Sequence, residues 1–267
     1  MPSETDPHER VYMAFPTRGE SFGEEADDVA IARRAWTAVA RATVRFVPVT
    51  MVVDPADRVE AEAFLGAGAD AGAASEARAG IIEIIEAPLD DAWMRDIGPT
   101  FVVGDDGRLG AVDWVFNGWG QQEWATWERD SRIARVVAEH AGVEVVGSEL
   151  VNEGGGIHVD GEGTVLLTDT VQLDRFRNPG WSRDAIEAEL RRTIGAERAI
   201  WFPRGLHRDA QRFGTRGHID IVATMPDEHT LLVHRQLDPA HPDFHLAEVY
   251  DEVIASSTAA DGRPWRV

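Results

Sequence analysis

The sequence predicts an α/β fold built from a repeated strand–strand–helix–strand unit, and three observations carry that prediction. Three segments read as strand, polar turn, strand. Residues 97–103 lead through Gly104-Asp-Asp-Gly to 109–114, and residues 156–159 lead through Asp160-Gly-Glu-Gly to 164–167. Residues 218–225 lead through Pro226-Asp-Glu-His to 231–233. Gly, Asp and Pro at the bend are hairpin chemistry. The turns begin at residues 104, 160 and 226, spacings of 56 and 66, and each interval holds a helix and a further strand. Self-similarity at such a period is the mark of a repeat architecture. Finally, polar residues stand just before or within the first strand of each copy: Asp96, Glu153, and His218 with Asp220.

The remaining elements follow from periodicity. A helix is predicted around 22–42, with Val29, Trp36, Val39 and Ala40 on one face. Glu24, Glu25, Asp27 and Asp28 near its start suit the helix dipole. Phe46-Val-Pro-Val-Thr-Met-Val-Val and Ile81-Ile-Glu-Ile-Ile read as buried strands. Residues 61–80 are Ala/Gly-rich, and a poor helix and a mobile surface loop both fit them. A helix at 130–141 shows Ile133, Val136, Val137 and Ala141 and stops at Gly142. A third, at 182–194, has Ser182 as its cap and a stripe of Ile186, Leu190 and Ile194. A fourth, at 244–255, has Leu246, Val249, Tyr250 and Val253. Val143-Glu-Val-Val and Ala199-Ile-Trp-Phe complete the strands.

The 267 residues are 43% hydrophobic, enough for a sizeable core in one large domain or two smaller ones. A formal net charge of -21 disfavours nucleic acid as a partner, because phosphate backbones repel such a surface. It suits a small cation, whose local concentration a negative field raises, and it serves solubility equally well. No apolar run approaches membrane-spanning length, so no membrane partner is expected. The polar, acidic start Met1-Pro2-Ser3-Glu4 has no signal-peptide pattern, so the expected location is the cytoplasm. There is no cysteine, which removes disulfides, thiolate metal sites and a thiol nucleophile from these residues.

Three stretches carry candidate chemistry. Asp90-Asp91-Ala-Trp93-Met94-Arg95-Asp96-Ile-Gly98-Pro99 lies on a loop entering the first hairpin, where function concentrates. A solvated acidic loop with one ion pair is its bland reading. Asn152-Glu153-Gly154-Gly155-Gly156 places a carboxylate before glycines that let a ligand approach closely. A phosphate cradle would want a Lys and a following helix, and neither is present. Gly217-His218-Ile219-Asp220, read as a strand, sets imidazole and carboxylate on one face, fit for acid–base work near neutral pH. A metal site is disfavoured because no short-range His cluster exists, and His158 reads as structural. Three carboxylates and a His at equivalent corners of repeated units suit a planar cation, since a carboxylate accepts paired N–H bonds from a guanidinium. Nine Trp add aromatic faces for cation–π contact, and Trp93 sits within the first of these stretches.

At these residues the chain resembles the agmatine deiminase family of guanidine-modifying enzymes, which belongs to the pentein superfamily and is related to bacterial peptidylarginine deiminases. The matching stretches are Pro7-His-Glu-Arg, Asp91-Ala-Trp-Met-Arg-Asp-Ile-Gly-Pro-Thr and Phe116-Asn-Gly-Trp-Gly. They continue with Glu153-Gly-Gly-Gly-Ile-His-Val-Asp-Gly-Glu-Gly-Thr, Arg177-Asn-Pro and Gly217-His-Ile-Asp, in order along the whole chain. The resemblance implies one catalytic domain over 1–267, a five-fold pseudosymmetric α/β propeller of ββαβ modules, here short by about the last module. It implies hydrolysis of agmatine to N-carbamoylputrescine and ammonia, as in putrescine biosynthesis, with no cofactor and no metal. It assigns Asp96 and Asp220 to the guanidinium nitrogens, His218 to acid–base work, Glu153 to orienting His218, and Trp93 to the substrate channel. The family's catalytic Cys lies in a late Gly-rich motif that has no counterpart here. Two departures, Ile221 after the His-x-Asp and the run Gln211-Arg-Phe-Gly-Thr-Arg216, bear on substrate choice. An inactive guanidino-binding propeller and a deiminase of arginine or peptidyl arginine are the alternative readings, and self-association as a homo-oligomer is compatible with either.

Overall fold

The computed structural model describes residues 1–66 and 81–267; most of the biased 61–80 stretch, residues 67–80, lies outside the described residues. The chain clusters into two units. One comprises Pro7–Gly98 with Trp124–Val137, the other Met1–Asp6, Pro99–Glu123 and Ala138–Val267.

In the Pro7–Gly98 unit, β1 (Val11–Ala14), β2 (Val49–Val53) and β3 (Ile82–Glu86) form a parallel sheet in that order. Helices α1 (Ala26–Thr43) and α2 (Arg58–Leu65) supply the crossovers that parallel strands need. Every residue of β2 is buried, as expected of a central strand covered on both faces. Helix α1 differs from the predicted face. Its buried stripe is Val29, Arg33, Thr37 and Ala40, whereas Val39 is exposed. The face differs because a charged residue, Arg33, belongs to the core side. Arg33 is only 1% exposed, sits 4.9 Å over the Phe15 ring, and pairs with Asp57 at 2.7 Å and with Glu60. A buried guanidinium is tolerable only with such partners. The short helix α3 (Met94–Ile97) closes this unit.

The larger unit shows the repeated module directly. Strands β4 (Thr100–Val103) and β5 (Leu109–Val115) pair antiparallel. The chain then runs through α4 (Gly118–Gln121), passes through the other unit's Trp124–Val137, and returns by the end of α5 (Ile133–Ala141) to β6 (Glu144–Val151), which pairs parallel with β5. The second copy has β7 (His158–Val159) antiparallel to β8 (Thr164–Thr168). Helices α6 (Asp169–Gln172) and α7 (Arg183–Ile194) follow, and β9 (Arg198–Phe202) joins β8 in parallel. The third copy has β10 (Ala223–Asp227) antiparallel to β11 (Thr230–Val233), followed by α8 (Leu246–Ala255).

Local signals account for these elements. Ser182 Oγ accepts the Ala185 N–H at 3.2 Å, and Ile186, Leu190 and Ile194 are buried as the stripe predicts. They pack with Val112, Leu150, Val165 and Leu167 into one core. A second core joins Leu166, Phe202, Ile219, Met225, Leu231 and Tyr250. His158 is structural: its Nε2 accepts the Met225 N–H at 2.8 Å.

Candidate active site

Glu153 stands at the end of β6, on the turn before β7, and its side chain is fully buried. A carboxylate there must be compensated. Arg177 does so, its Nε donating to Oε1 at 3.0 Å and Oε2 at 3.1 Å. Burial alone would push the Glu153 carboxyl up. The Arg177 charge and the hydrogen bond from His218 outweigh it and hold the group down at about 2. Glu153 is therefore ionised at neutral pH.

His218 completes the pair, with Nε2 3.1 Å from Glu153 Oε2 and 3% exposure. The sequence predicts His218 inside a strand; the strand begins only at Ala223. Residues 218–222 form a turn in which the Val222 and Ala223 N–H groups both reach Ile219 O at 2.9 Å. The reason is a competing acceptor. The buried Asp209 carboxylate collects the N–H groups of Thr215 at 2.7 Å, Gly217 at 2.6 Å and His218 at 3.0 Å, which removes them from any ladder. Ile219 is fully buried in the core and anchors the turn.

The turn still brings His218 and Asp220 to one place. A Cβ added at Gly155 would lie 2.4 Å from His218 Nδ1 and 2.7 Å from Asp220 Oδ2, so both atoms crowd the same face of that glycine. Asp220 is exposed, and its N–H donates to Gly155 O at 3.3 Å. His218 thus gives Nε2 to Glu153, while its Nδ1 and an Asp220 carboxylate oxygen both lie against Gly155. An imidazole held by a carboxylate on one nitrogen can exchange protons near neutral pH.

Three supports went unassigned by sequence reasoning. Arg177 appeared only as part of a matching motif. Asp209 and Asp174 carried no signal, since isolated aspartates in loops look alike. Asp174 Oδ2 accepts from Arg177 Nη1 at 3.0 Å and Arg216 Nη1 at 2.9 Å. Next in the motif, Asn178 binds Val151 through both its amide groups and donates to Gln172 O. The three glycines 154–156 are buried in a single 3-10 turn.

Asp96 and Trp93 lie in the Pro7–Gly98 unit, on and just before α3. Trp93 is 40% exposed, stacked on Phe22 at 5.8 Å and edge-on to Trp36 at 5.5 Å. Asp91 is buried beside them and accepts from Ser21 and from the Ala92 N–H at 2.7 Å. Burial, aided by the nearby Asp96 charge, pushes its carboxyl up. Asp90 and Asp91 line a cavity of about 430 Å³ together with Ser21, Asp54, Trp124 and Arg129. Beneath this loop, Asp130 is fully buried. Its Oδ1 accepts the Asp90 N–H at 2.8 Å, and burial with the neighbouring Asp90 and Asp91 pushes its carboxyl up to about 8.

Known proteins resemble this chain over nearly its whole length. A candidate agmatine deiminase of Streptomyces coelicolor is 53% identical across 98% of this chain and 74% of its own. The agmatine deiminase of Stutzerimonas stutzeri is 38% identical across 98% and 67%. Among solved structures, the agmatine deiminase of Enterococcus faecalis matches with a TM-score of 0.87 at 31% identity, over all of this chain and 69% of that one. Its mixed α/β architecture is that of these enzymes. The sequence profile of the Porphyromonas-type peptidyl-arginine deiminases matches residues 1–267, and the chain belongs to that family.

Proposed function

We propose that this protein acts on the guanidinium group of agmatine, releasing ammonia and leaving N-carbamoylputrescine. The single observation that carries this reading is the buried Glu153–His218 pair with Asp220 gathered over Gly155. In the reaction a thiolate adds to the guanidinium carbon, and His218 protonates the departing ammonia. The same imidazole then takes a proton from water, which attacks the thiouronium carbon and expels the thiolate. Water supplies the oxygen, and one ammonia leaves per turnover. Glu153, held ionised with Arg177 beside it, orients His218 and favours its charged form. Asp220 accepts guanidinium N–H bonds. Asp96 keeps the guanidinium role assigned from the resemblance, and Trp93 the channel role. The thiol is not among these 267 residues, which contain no cysteine. We also infer that the ββαβ modules are blades of a five-fold α/β propeller. Two complete modules and the start of a third support this.

A second reading is a module that binds guanidino compounds without turning them over. Calorimetric titration with agmatine and with arginine, beside Asp96→Ala and Asp220→Ala, tests the first part of both. Binding that prefers agmatine and falls at least tenfold in either variant supports the assignment. Absence of binding to either ligand removes it. Ammonia release then separates enzyme from binder.

A further inference from the structure

Behind Glu153 and His218 stands a residue to which neither resemblance nor motif gives a task. Arg177 is fully buried and uses all three of its guanidinium nitrogens. Nε straddles the two Glu153 oxygens at 3.0 and 3.1 Å. Nη1 reaches Asp174 Oδ2 at 3.0 Å, and Nη2 reaches Thr215 O at 2.7 Å. Thr215 belongs to the loop that Asp209 gathers, and Asp209 also holds the His218 N–H. Arg177 therefore touches both ends of the Glu153–His218 hydrogen bond, the carboxylate directly and the imidazole through its own loop.

We propose that Arg177 is a positioning residue for the acid–base pair. It fixes the rotation of Glu153 so that Oε2 stays on His218 Nε2, which leaves Nδ1 as the basic nitrogen on the Asp220 side. This role rests on the acid–base task given to His218 above. A buried ion pair by itself is weak support for anything beyond packing. The distinction lies in the fork. A guanidinium offers rigid, planar donors to three acceptors at once, whereas an ammonium in its place is a single flexible point charge. The second acceptor is itself restrained, because Arg216 Nη1 bonds the same Asp174 oxygen at 2.9 Å. Glu153 thus faces a cation that cannot pivot with it, so one carboxylate orientation is selected.

The consequence is spectroscopic. With Nε2–H donating to Glu153, neutral His218 is held in a single tautomer, its Nδ1 free of hydrogen. Nitrogen-15 NMR of histidine-labelled protein reads both ring nitrogens above the His218 titration. The wild type is expected to show the Nε2–H form alone. Arg177→Gln and Arg177→Lys are expected to show a mixture of both tautomers, and the Lys variant keeps a buried cation should the Gln variant fail to fold. In a Glu153→Gln background, adding Arg177→Gln is expected to change the tautomer no further, because the effect runs through Glu153. A wild-type-like single tautomer in a folded Arg177 variant, with only the melting temperature lowered, overturns the proposal and leaves Arg177 a packing residue. So does a wild type that is not the Nε2–H form. The readout needs no turnover. A wild type that fails to bind agmatine therefore refutes the functional reading while the tautomer result stands by itself.

Discussion

Gly155 meets His218 so closely that a methyl group does not fit: a Cβ at residue 155 would stand 2.4 Å from Nδ1 of the imidazole. Asp220 Oδ2 would be 2.7 Å from the same atom. The Gly155→Ala variant must displace the ring, the carboxylate or both. Overpacking of this kind costs about 1–3 kcal/mol. We expect a folded protein with agmatine binding weakened at least about tenfold, the affinity equivalent of ~1.4 kcal/mol, and Asp220→Ala in the same background to add little. Calorimetry on the single and double variants reads both. Undiminished binding by Gly155→Ala would show that the ligand does not use this face.

Glu153 makes an acid-side prediction. Its carboxyl is held at about 2 against an ordinary 4.5, with the burial penalty outweighed by Arg177 and then His218. A depressed value means that the contribution is complete above the unfolded value, near 4.5, and is lost as pH falls through about 2. The melting temperature of the wild type should therefore fall between pH 4.5 and 2 more steeply than that of Glu153→Gln. At neutral pH the variant leaves Arg177 buried without its full partner, a change worth about 3–5 kcal/mol for buried pairs. Scanning calorimetry from pH 7 to 2 reads both effects, and equal acid slopes would remove Glu153 as the responsible group.

The modules were legible in the sequence because their signals are local. Gly and Asp turns, the Ser182 cap and the Ile186–Leu190–Ile194 stripe each need only neighbouring residues to be read. The parts that were not legible depend on distant partners. The strand predicted from His218 onward yields to a turn because Asp209, nine residues earlier, takes its N–H groups. Periodicity points Val39 inward, but Arg33 takes the buried face instead, and only its pairing with Asp57 and Glu60 allows that. Glu153, His218 and Asp220, which the structure gathers around Gly155, stand out in the sequence by their chemistry and their equivalent places in the repeat. Arg177, Asp174 and Asp130 do not, because their functions are defined by what lies across space from them.

Asp130 makes the opposite prediction in pH. Its carboxyl is pushed up to about 8, by burial first and by the Asp90 and Asp91 charges after it. A raised value means that the folded state keeps a proton the unfolded chain has released. The contribution is full below about 3.8 and is lost as pH rises through about 8. The neutral isostere Asp130→Asn retains the acceptor for the Asp90 N–H. It should match or trail the wild type near pH 4 and melt higher at pH 8. The gain should be about 2–4 °C for each kcal/mol recovered. Parallel melting curves across pH 4–8 would show that Asp130 is not the titrating group.

The segment at Gly118–Gln121 carries the last prediction. Four consecutive residues take positive φ there: Gly118 at 70°, Trp119 at 56°, Gly120 at 80° and Gln121 at 56°. The Gln121 N–H still reaches Asn117 O at 3.0 Å and the Gln122 N–H reaches Gly118 O at 3.1 Å, so this is one turn of left-handed helix. Such backbone costs roughly 1–2 kcal/mol for each non-glycine residue and persists only where its surroundings hold it. Here Asn117 Oδ1 accepts the Gly120 N–H at 2.9 Å, and Trp119 is buried edge-on to Phe116 at 5.1 Å. What the turn secures is the Arg177 network. A Cβ at Gly120 would lie 2.6 Å from Asp174 Oδ2 and 3.2 Å from both Arg177 Nη1 and Arg216 Nη1. Gly142 makes the matched control, with φ of 68° and nothing near its Cβ position. Gly142→Ala should cost only the backbone strain, about 1 kcal/mol. Gly120→Ala should exceed it by about 1–3 kcal/mol in urea unfolding, the overpacking cost of crowding Asp174. It should also loosen the His218 tautomer as the Arg177 variants do. Equal losses at the two glycines would mean that Asp174 moves aside freely, and the turn would then be a backbone feature with no hold on Glu153.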